Sequence, residues 1–292
     1  MVSVDYSQVH SLAVLENPII RRGVEDALKR VGFGPVLSVL TVDALHNAMA
    51  KTAYDLIILP AEIGGISMAP LIVDMRNGRL GPNPFPIIII LLNSPDQTVV
   101  RKIIDSGPDD LLLIPFSPKQ LLDRLEGFTR QRKPFVVTQD YTGPDRRSAA
   151  RPGTEQIPQI GVPNPLMART RKMPPAQYEK DAARVAAQLD GLKLERYAVQ
   201  VTWLDKTIRQ LFVKDMDVGK LSSYSFRLRQ IVEDVGVRVK GTISESLAAV
   251  LRDLEASAEA LLSDGENLSK VQLEAFSRQS AAFSAEILKQ IP

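Results

Sequence analysis

Five short apolar runs in the first 130 residues constrain this chain more than any other feature of its sequence. They lie at 12–15, 36–40, 56–59, 87–92 and 111–114, and most of their residues are branched. None approaches the roughly 20 apolar residues needed to span a bilayer. Four of the five are apolar at every position, rather than at every second one, which suits strands buried on both faces; Ser38 interrupts the run 36–40. Between them lie amphipathic stretches at 19–31, 42–51, 68–76, 97–105 and 117–129, with turn residues Gly32, Gly34, Gly64-Gly65, Gly81-Pro82 and Gly107-Pro108 at the joints. Five strands alternating with five helices predict a doubly wound parallel α/β sheet, helices on both faces. Such sheets place their functional crevice at the carboxyl ends of the strands. The residues that follow each strand therefore decide the chemistry.

Composition narrows that chemistry. The 292 residues include no Cys, which removes disulfides, thiolate catalysis and Cys-ligated metals. The two His, His10 and His46, read as surface residues, and none follows position 46, so phosphohistidine chemistry has no group to use there. No metal centre and no cofactor is expected. The first eleven residues have neither the basic nor the apolar region of a signal peptide, and the expected location is cytoplasmic. Net charge is +2 but uneven: residues 1–130 hold 12 basic and 14 acidic residues, 131–175 hold 8 and 3, and 176–292 hold 16 and 17.

Residues 8–130 resemble the receiver domain of bacterial two-component response regulators. Three stretches carry the resemblance: Glu16-Asn17-Pro18 with Arg21-Arg22, Tyr54-Asp55-Leu56-Ile57-Ile58-Leu59, and Ser106-Gly107-Pro108-Asp109-Asp110 running to Pro115-Phe116-Ser117-Pro118. The resemblance implies a flavodoxin-like (βα)5 fold with strand order 2-1-3-4-5. In that family an Asp ending the third strand takes the phosphoryl group. Two acidic residues after the first strand help it hold Mg²⁺, and a Ser or Thr after the fourth strand and a Lys after the fifth contact the phosphoryl oxygens. Those positions here are Pro60, Leu15 with Glu16, Leu92 (or Leu91) and Ile114, while the aromatic switch position is Leu111. Proline cannot form an acyl phosphate, and a single Glu is a poor Mg²⁺ site. The pocket reads as degenerate, a pseudo-receiver unable to be phosphorylated in the family's manner. Glu16 reads as a solvated remnant, Glu62 as a candidate fixed negative charge beyond Pro60, and Asp109-Asp110 as caps of the turn before the fifth strand. The family's X-Pro bond, here Ile114-Pro115, is expected to be cis. Receivers commonly meet partners on the face of the fourth helix, fifth strand and fifth helix, here residues 96–128 around Leu112, with Lys119, Arg124 and Arg130 outermost.

Residues 131–175 hold eight Pro and three Gly and read as a basic linker. Within it, Tyr141-Thr142-Gly143-Pro144-Asp145-Arg146-Arg147 and Val162-Pro163-Asn164-Pro165-Leu166 look like an extension found in some bacterial receiver proteins. Arg146, Arg147 and Arg151 are candidate anion or partner contacts. Arg147 and Arg151 have the i, i+4 spacing of the PilZ domain's phosphate-binding loop, but no following strand series supports that fold. Residues 176–292 carry helical seams: Leu194, Tyr197, Val201, Leu204, Ile208 and Leu211 recur at 3 and 4 spacing. A second helix carries Leu228, Ile231 and Val235, interrupted by Gly236 and Gly241. A third carries Leu247, Leu251, Leu254, Ala258 and Leu261, and a last one Phe276, Phe283 and Ile287. An all-α hairpin or bundle is expected, pairing with a second copy if its seams stay open.

The combined expectation is a non-enzymatic, phosphorylation-independent signalling adaptor or scaffold that binds protein partners in a bacterial pathway and self-associates through its helices. Two other roles stay open: a DNA-binding regulator using Arg227, Arg229, Arg238 and Lys240, and a cyclic-dinucleotide effector using Arg147.

Overall fold

A computed structural model describes residues 4–93, 96–147, 157–214, 217–239 and 243–291. The chain divides into a first unit, Met1–Ala186, and a second, Ala187–Pro292.

In the first unit the apolar runs become strands and the amphipathic stretches become helices. In chain order these are β1 (Ser11–Val14), α1 (Pro18–Arg30), β2 (Val36–Val39), α2 (Val42–Lys51), β3 (Leu56–Pro60), the short hairpin β4 (Glu62–Ile63) and β5 (Ile66–Ser67), α3 (Ala69–Arg76), β6 (Ile87–Leu92), α4 (Gln97–Ile104), β7 (Asp110–Leu113) and α5 (Pro118–Arg130). The main sheet is parallel throughout, in the order β2-β1-β3-β6-β7. This is the flavodoxin-like arrangement expected, and the helical second unit completes the expected fold class.

Strand alternation assigns each run to two cores. Leu12, Val14, Ile57, Leu59, Ile88 and Ile90 face one side, with Leu45 and Met49 of α2 and Leu71, Ile72 and Met75 of α3. Ala13, Leu15, Leu56, Ile58, Ile87, Ile89 and Leu91 face the other, with Val24 and Leu28 of α1 and Leu121 and Leu125 of α5. Each fully buried Ile contributes roughly 1.5–3 kcal/mol. Polar side chains fix the helix starts: Asn17 caps α1, Thr41 caps α2, Asp96 caps α4, and Ser117 with Gln120 forms a capping box on α5. Glu62, expected in a loop, stands in β4. The Ile114-Pro115 bond is cis, as expected.

Beyond α5 the chain does not leave the domain. Strands β8 (Phe135–Val137) and β9 (Thr142–Pro144) form a hairpin, Phe135 also bridges Ile160, and α6 (Pro165–Thr170) buries Leu166 in the α1/α5 core. Helix α7 (Pro175–Lys214) follows, and the division between the units falls within it.

The second unit holds the rest of α7, then α8 (Val218–Arg238), α9 (Glu245–Ser263), a 3₁₀ turn at Gly265–Asn267 and α10 (Lys270–Leu288). Its core unites Leu194, Tyr197, Val201, Leu204 and Ile208 with Leu228, Ile231 and Val235, then Leu247, Leu254 and Leu261, then Phe276, Phe283 and Ile287. The seams read from the sequence close on one another, so they do not stay open for a second copy. Leu211, at the end of the first seam, is only half-buried. Gly236 does not interrupt α8, because the flanking Val235 and Arg238 are buried on one stripe and packing offsets the poor helix propensity of one glycine.

Candidate functional site: the two ends of the parallel sheet

At the carboxyl end, register puts the residues assigned to the degenerate pocket side by side. Pro60 of β3 pairs with Leu91 of β6, and Leu92 pairs with Leu113 of β7. The sheet therefore sets Leu91, rather than Leu92, opposite Pro60; both are apolar. Backbone bonds tie the row together: Leu15 N–H donates to Val39 O (3.2 Å), Ala61 N–H to Leu91 O (3.2 Å) and Ile114 N–H to Leu92 O (2.8 Å). Leu15 and Leu92 are buried, Pro60 and Ile114 partly so. Leu111 packs against the α2/α3 core, where an aromatic switch would stand.

Glu16 and Glu62 are both exposed and have no hydrogen-bond or ion-pair partner among the described residues. Arg21 reaches back to donate to Leu15 O (3.0 Å). Among the described residues no group of three His, Asp or Glu is placed to hold a metal ion.

At the amino end the arrangement is ionic and buried. Asp109 lies just before β7, and its side chain is 1% exposed. It was read as a turn cap; instead it accepts from Arg76 Nη2 (2.6 Å), Arg132 Nε (2.8 Å) and Ile88 N–H (2.9 Å). Asp110 accepts from Leu111 N–H, its near neighbour, and from Arg124.

Burial pushes Arg76 down to about 10, with Asp109 opposing, so it stays charged at neutral pH. Burial would raise Asp109, but the Arg132 and Arg76 guanidiniums hold it below the usual carboxylate range. Arg132 also donates to Phe85 O, Pro86 O and Pro163 O, which ties the end of α5, the start of β6 and the later extension to one side chain. Phe135 is fully buried with Arg132 and Arg76 over its ring at 4.9 and 5.2 Å.

Asp55, just before β3, is a second such point. It accepts from His10 N–H (2.9 Å) and from Arg169 Nε of α6 (3.0 Å), and Arg169 stands 5.9 Å from the Tyr178 ring. Burial pushes Asp55 up despite these donors, and it pushes the Tyr178 hydroxyl up to about 12.

The segment read as a linker therefore seals the amino ends of the strands. The fit is close: a Cβ on Gly143 would stand 2.8 Å from Gly107 Cα, and one on Gly107 (φ 93°) would stand 2.7 Å from Thr142 O. The candidate anion contacts are engaged within it. Arg146 donates to Pro108 O, and Arg147 grips Asp145 through two bonds (2.9 and 2.8 Å). The Arg147 bond, more than any other contact, holds Asp145 far below the usual carboxylate range. Arg151 lies outside the described residues.

Of the cations considered for DNA, Arg238 is buried between Asp234 (2.6 Å) and Asp190 (2.7 Å), Arg227 bonds Gln200, and Lys240 lies outside the described residues. Arg229 is exposed. On the outer face suggested for partners, Lys119 pairs with Asp123, Arg124 with Asp110 and Arg130 with Glu126. His10 and His46 are exposed, as read.

Sequence reasoning missed Asp109, Arg76, Arg132, Asp55 and Arg169 as a set. One signal was present: Arg76 falls four residues after Ile72, on the apolar stripe of α3, where a cation needs a buried partner.

Comparison with known proteins follows the same lines. Over 126 residues the chain is 28% identical to the phosphate regulon transcriptional regulatory protein PhoB of Escherichia coli (strain K12), covering 43% of this chain and 54% of that protein. PhoB of Klebsiella pneumoniae matches to the same extent. The chain thus spans about half the length of these relatives. Among solved structures it is similar to the response regulator DrrB, an OmpR/PhoB homologue of Thermotoga maritima, with 24% identity and a TM-score of 0.38 over 44% of this chain and 57% of that one. It is also similar to full-length FixJ from B. japonicum, with 14% identity and a TM-score of 0.35 over 94% and 98% of the two chains. No family profile matches the chain. Sequence similarity to these regulatory proteins over 126 residues thus stands beside a parallel sheet in the order β2-β1-β3-β6-β7. No helix among the described residues is long and apolar enough to cross a membrane.

Proposed function

We propose that this chain is a non-enzymatic signalling adaptor whose receiver-type unit binds protein partners without taking up a phosphoryl group. The observation that carries the reading is the row Leu15, Pro60, Leu91 and Ile114 across the carboxyl end of β1, β3, β6 and β7, where phosphoryl chemistry needs carboxylates, a hydroxyl and an ammonium. Proline offers no oxygen nucleophile. Glu16 alone gives Mg²⁺ one carboxylate, and apolar Ile114 stands where a lysine would meet the phosphoryl oxygens.

A partner shifts a two-state domain only through differential affinity for the two states. With Leu111 in the α2/α3 core and Ile114 at the strand end, the receiver unit keeps one conformation and offers a constant surface. The second unit serves as an association module in the same reading, because Val199 and Trp203 expose apolar surface on successive turns of α7. A transcriptional role is named for the PhoB relatives; of the cations considered for DNA here, Arg227 and Arg238 are engaged within the fold.

Incubation of the full chain with acetyl phosphate and Mg²⁺, read by intact mass, tests the proposal. The expected spectrum is unchanged. A stable gain of one phosphoryl group mapped to the first unit would overturn it.

A further inference from the structure

The last turns of α1 and α5 converge on an open groove of about 720 Å³. Among the described residues its lining comes from the segment before β1, the end of α1 with the turn after it, and α5. The extension that seals the strand ends does not close it. That volume lies within the range of small-molecule sites.

The walls are apolar and held in place. Tyr6 and Phe33 are buried and stack with ring centroids 4.4 Å apart and planes within 10° of parallel. Phe33 N–H donates to Leu28 O (3.2 Å) and Val9 N–H to Tyr6 O (3.0 Å), which fixes both rings from the backbone. Gly34 lets the two segments meet, since a Cβ there would stand 2.7 Å from Ser7 O. Leu125 is buried, while Val31 and Leu122 are half-buried and leave apolar surface for a ligand to cover.

Charge along the rim is not balanced. Arg30, Arg130 and Glu126 line the same groove. Glu126 is taken by Arg130, one turn further along α5. Arg30 is exposed and has no hydrogen-bond or ion-pair partner among the described residues. Lys29 also stands in the last turn of α1, so a cation for the helix dipole is present without Arg30. One guanidinium in excess beside an apolar wall suits a carboxylate carried on an apolar body, because the donor fork of Arg meets that anion with two bonds.

We infer that this groove binds a small apolar monocarboxylate, its hydrocarbon or ring on Val31, Leu122 and the Tyr6–Phe33 pair and its carboxylate on Arg30. The site lies at the opposite end of the sheet from Pro60 and goes beyond the adaptor reading.

The test uses the full chain and three probes: 2-naphthoate, its neutral amide 2-naphthamide, and acetate. Isothermal titration calorimetry should give saturable one-to-one binding of 2-naphthoate and none of acetate. The amide should bind about tenfold more weakly, the factor expected for one charge-assisted pair. Arg30→Gln should lower the affinity for 2-naphthoate to that for the amide and leave the amide unchanged. Leu122→Gln should weaken both about tenfold through lost apolar contact, while Arg101→Gln on α4 should alter neither. Circular dichroism melts confirm that each variant is folded, and Arg30→Gln, which changes only an exposed side chain, decides the matter if Leu122→Gln is not. The inference is overturned by a lack of saturation with 2-naphthoate at about 1 mM, by acetate or the amide binding as tightly as 2-naphthoate, or by unchanged affinity in Arg30→Gln. None of these outcomes bears on phosphoryl uptake, which tests the adaptor reading by itself.

Discussion

Two carboxylates at the amino end of the sheet are both buried, and their neighbours send them in opposite directions. Asp109 meets two guanidiniums and is held low; Asp55 meets one, and burial pushes it up. A group held low in the fold stabilises it above the unfolded-state pKa of about 4, and that stability is lost as pH falls through the folded value. A group held high behaves in the reverse sense, its contribution fading as pH rises through the folded value. Asp109→Asn should therefore cost about 3–5 kcal/mol at neutral pH, since it leaves Arg76 and Arg132 buried around a neutral partner. It should also flatten the acid limb of the stability profile. Asp55→Asn should cost clearly less at neutral pH and should not flatten that limb. Urea unfolding at a series of pH values, read for both variants, checks the two signs together; equal losses at neutral pH would show that the cation count does not govern this end.

At the scale of elements, the notable piece is the stretch 131–175, which the sequence presents as a linker and the fold uses as a cover. Its proline content and positive charge are those of a solvated spacer, and neither shows that Phe135 goes between two arginines or that Arg132 reaches Asp109. Those partners lie far apart in sequence, and no local periodicity encodes them. The strands were legible for the converse reason: runs such as Ile87–Leu92, apolar at every position, have no stable place except between two helical layers. The row Leu15, Pro60 and Ile114 was legible as well, because it falls on fixed positions of a known pattern. Phe135→Ala should cost about 3–5 kcal/mol, a drop in Tm of roughly 10 °C or more for a unit of this size, measured by calorimetry on the full chain. A fragment ending at Arg130 should be less stable than one ending at Ala186 by more than that, because it loses Arg132, Phe135 and Leu166 together. Equal melting of the two fragments would return the segment to the status of a spacer.

Across the whole molecule, a receiver-type unit with an apolar carboxyl end is joined to a helical unit that buries its own seams. The core of the helical unit holds a buried polar cluster: Tyr197 donates to Asp234, which also pairs with Arg238, and burial more than any other cause pushes the Tyr197 hydroxyl far up. Replacing Asp234 with Ala takes from buried Arg238 one of its two carboxylate partners and should cost about 3 kcal/mol or more, read as loss of helical signal at lower urea. At the carboxyl end of the first unit's sheet, apolar residues stand where phosphoryl chemistry would need ionic ones. Beryllofluoride with Mg²⁺ imitates the phosphoryl group and its metal, and any ligand that binds only the folded state raises its melting temperature. The most direct measurement is the melting curve of the full chain with and without that mixture. Superimposable curves are expected; a dose-dependent rise in Tm that Glu16→Gln abolishes would overturn the adaptor reading.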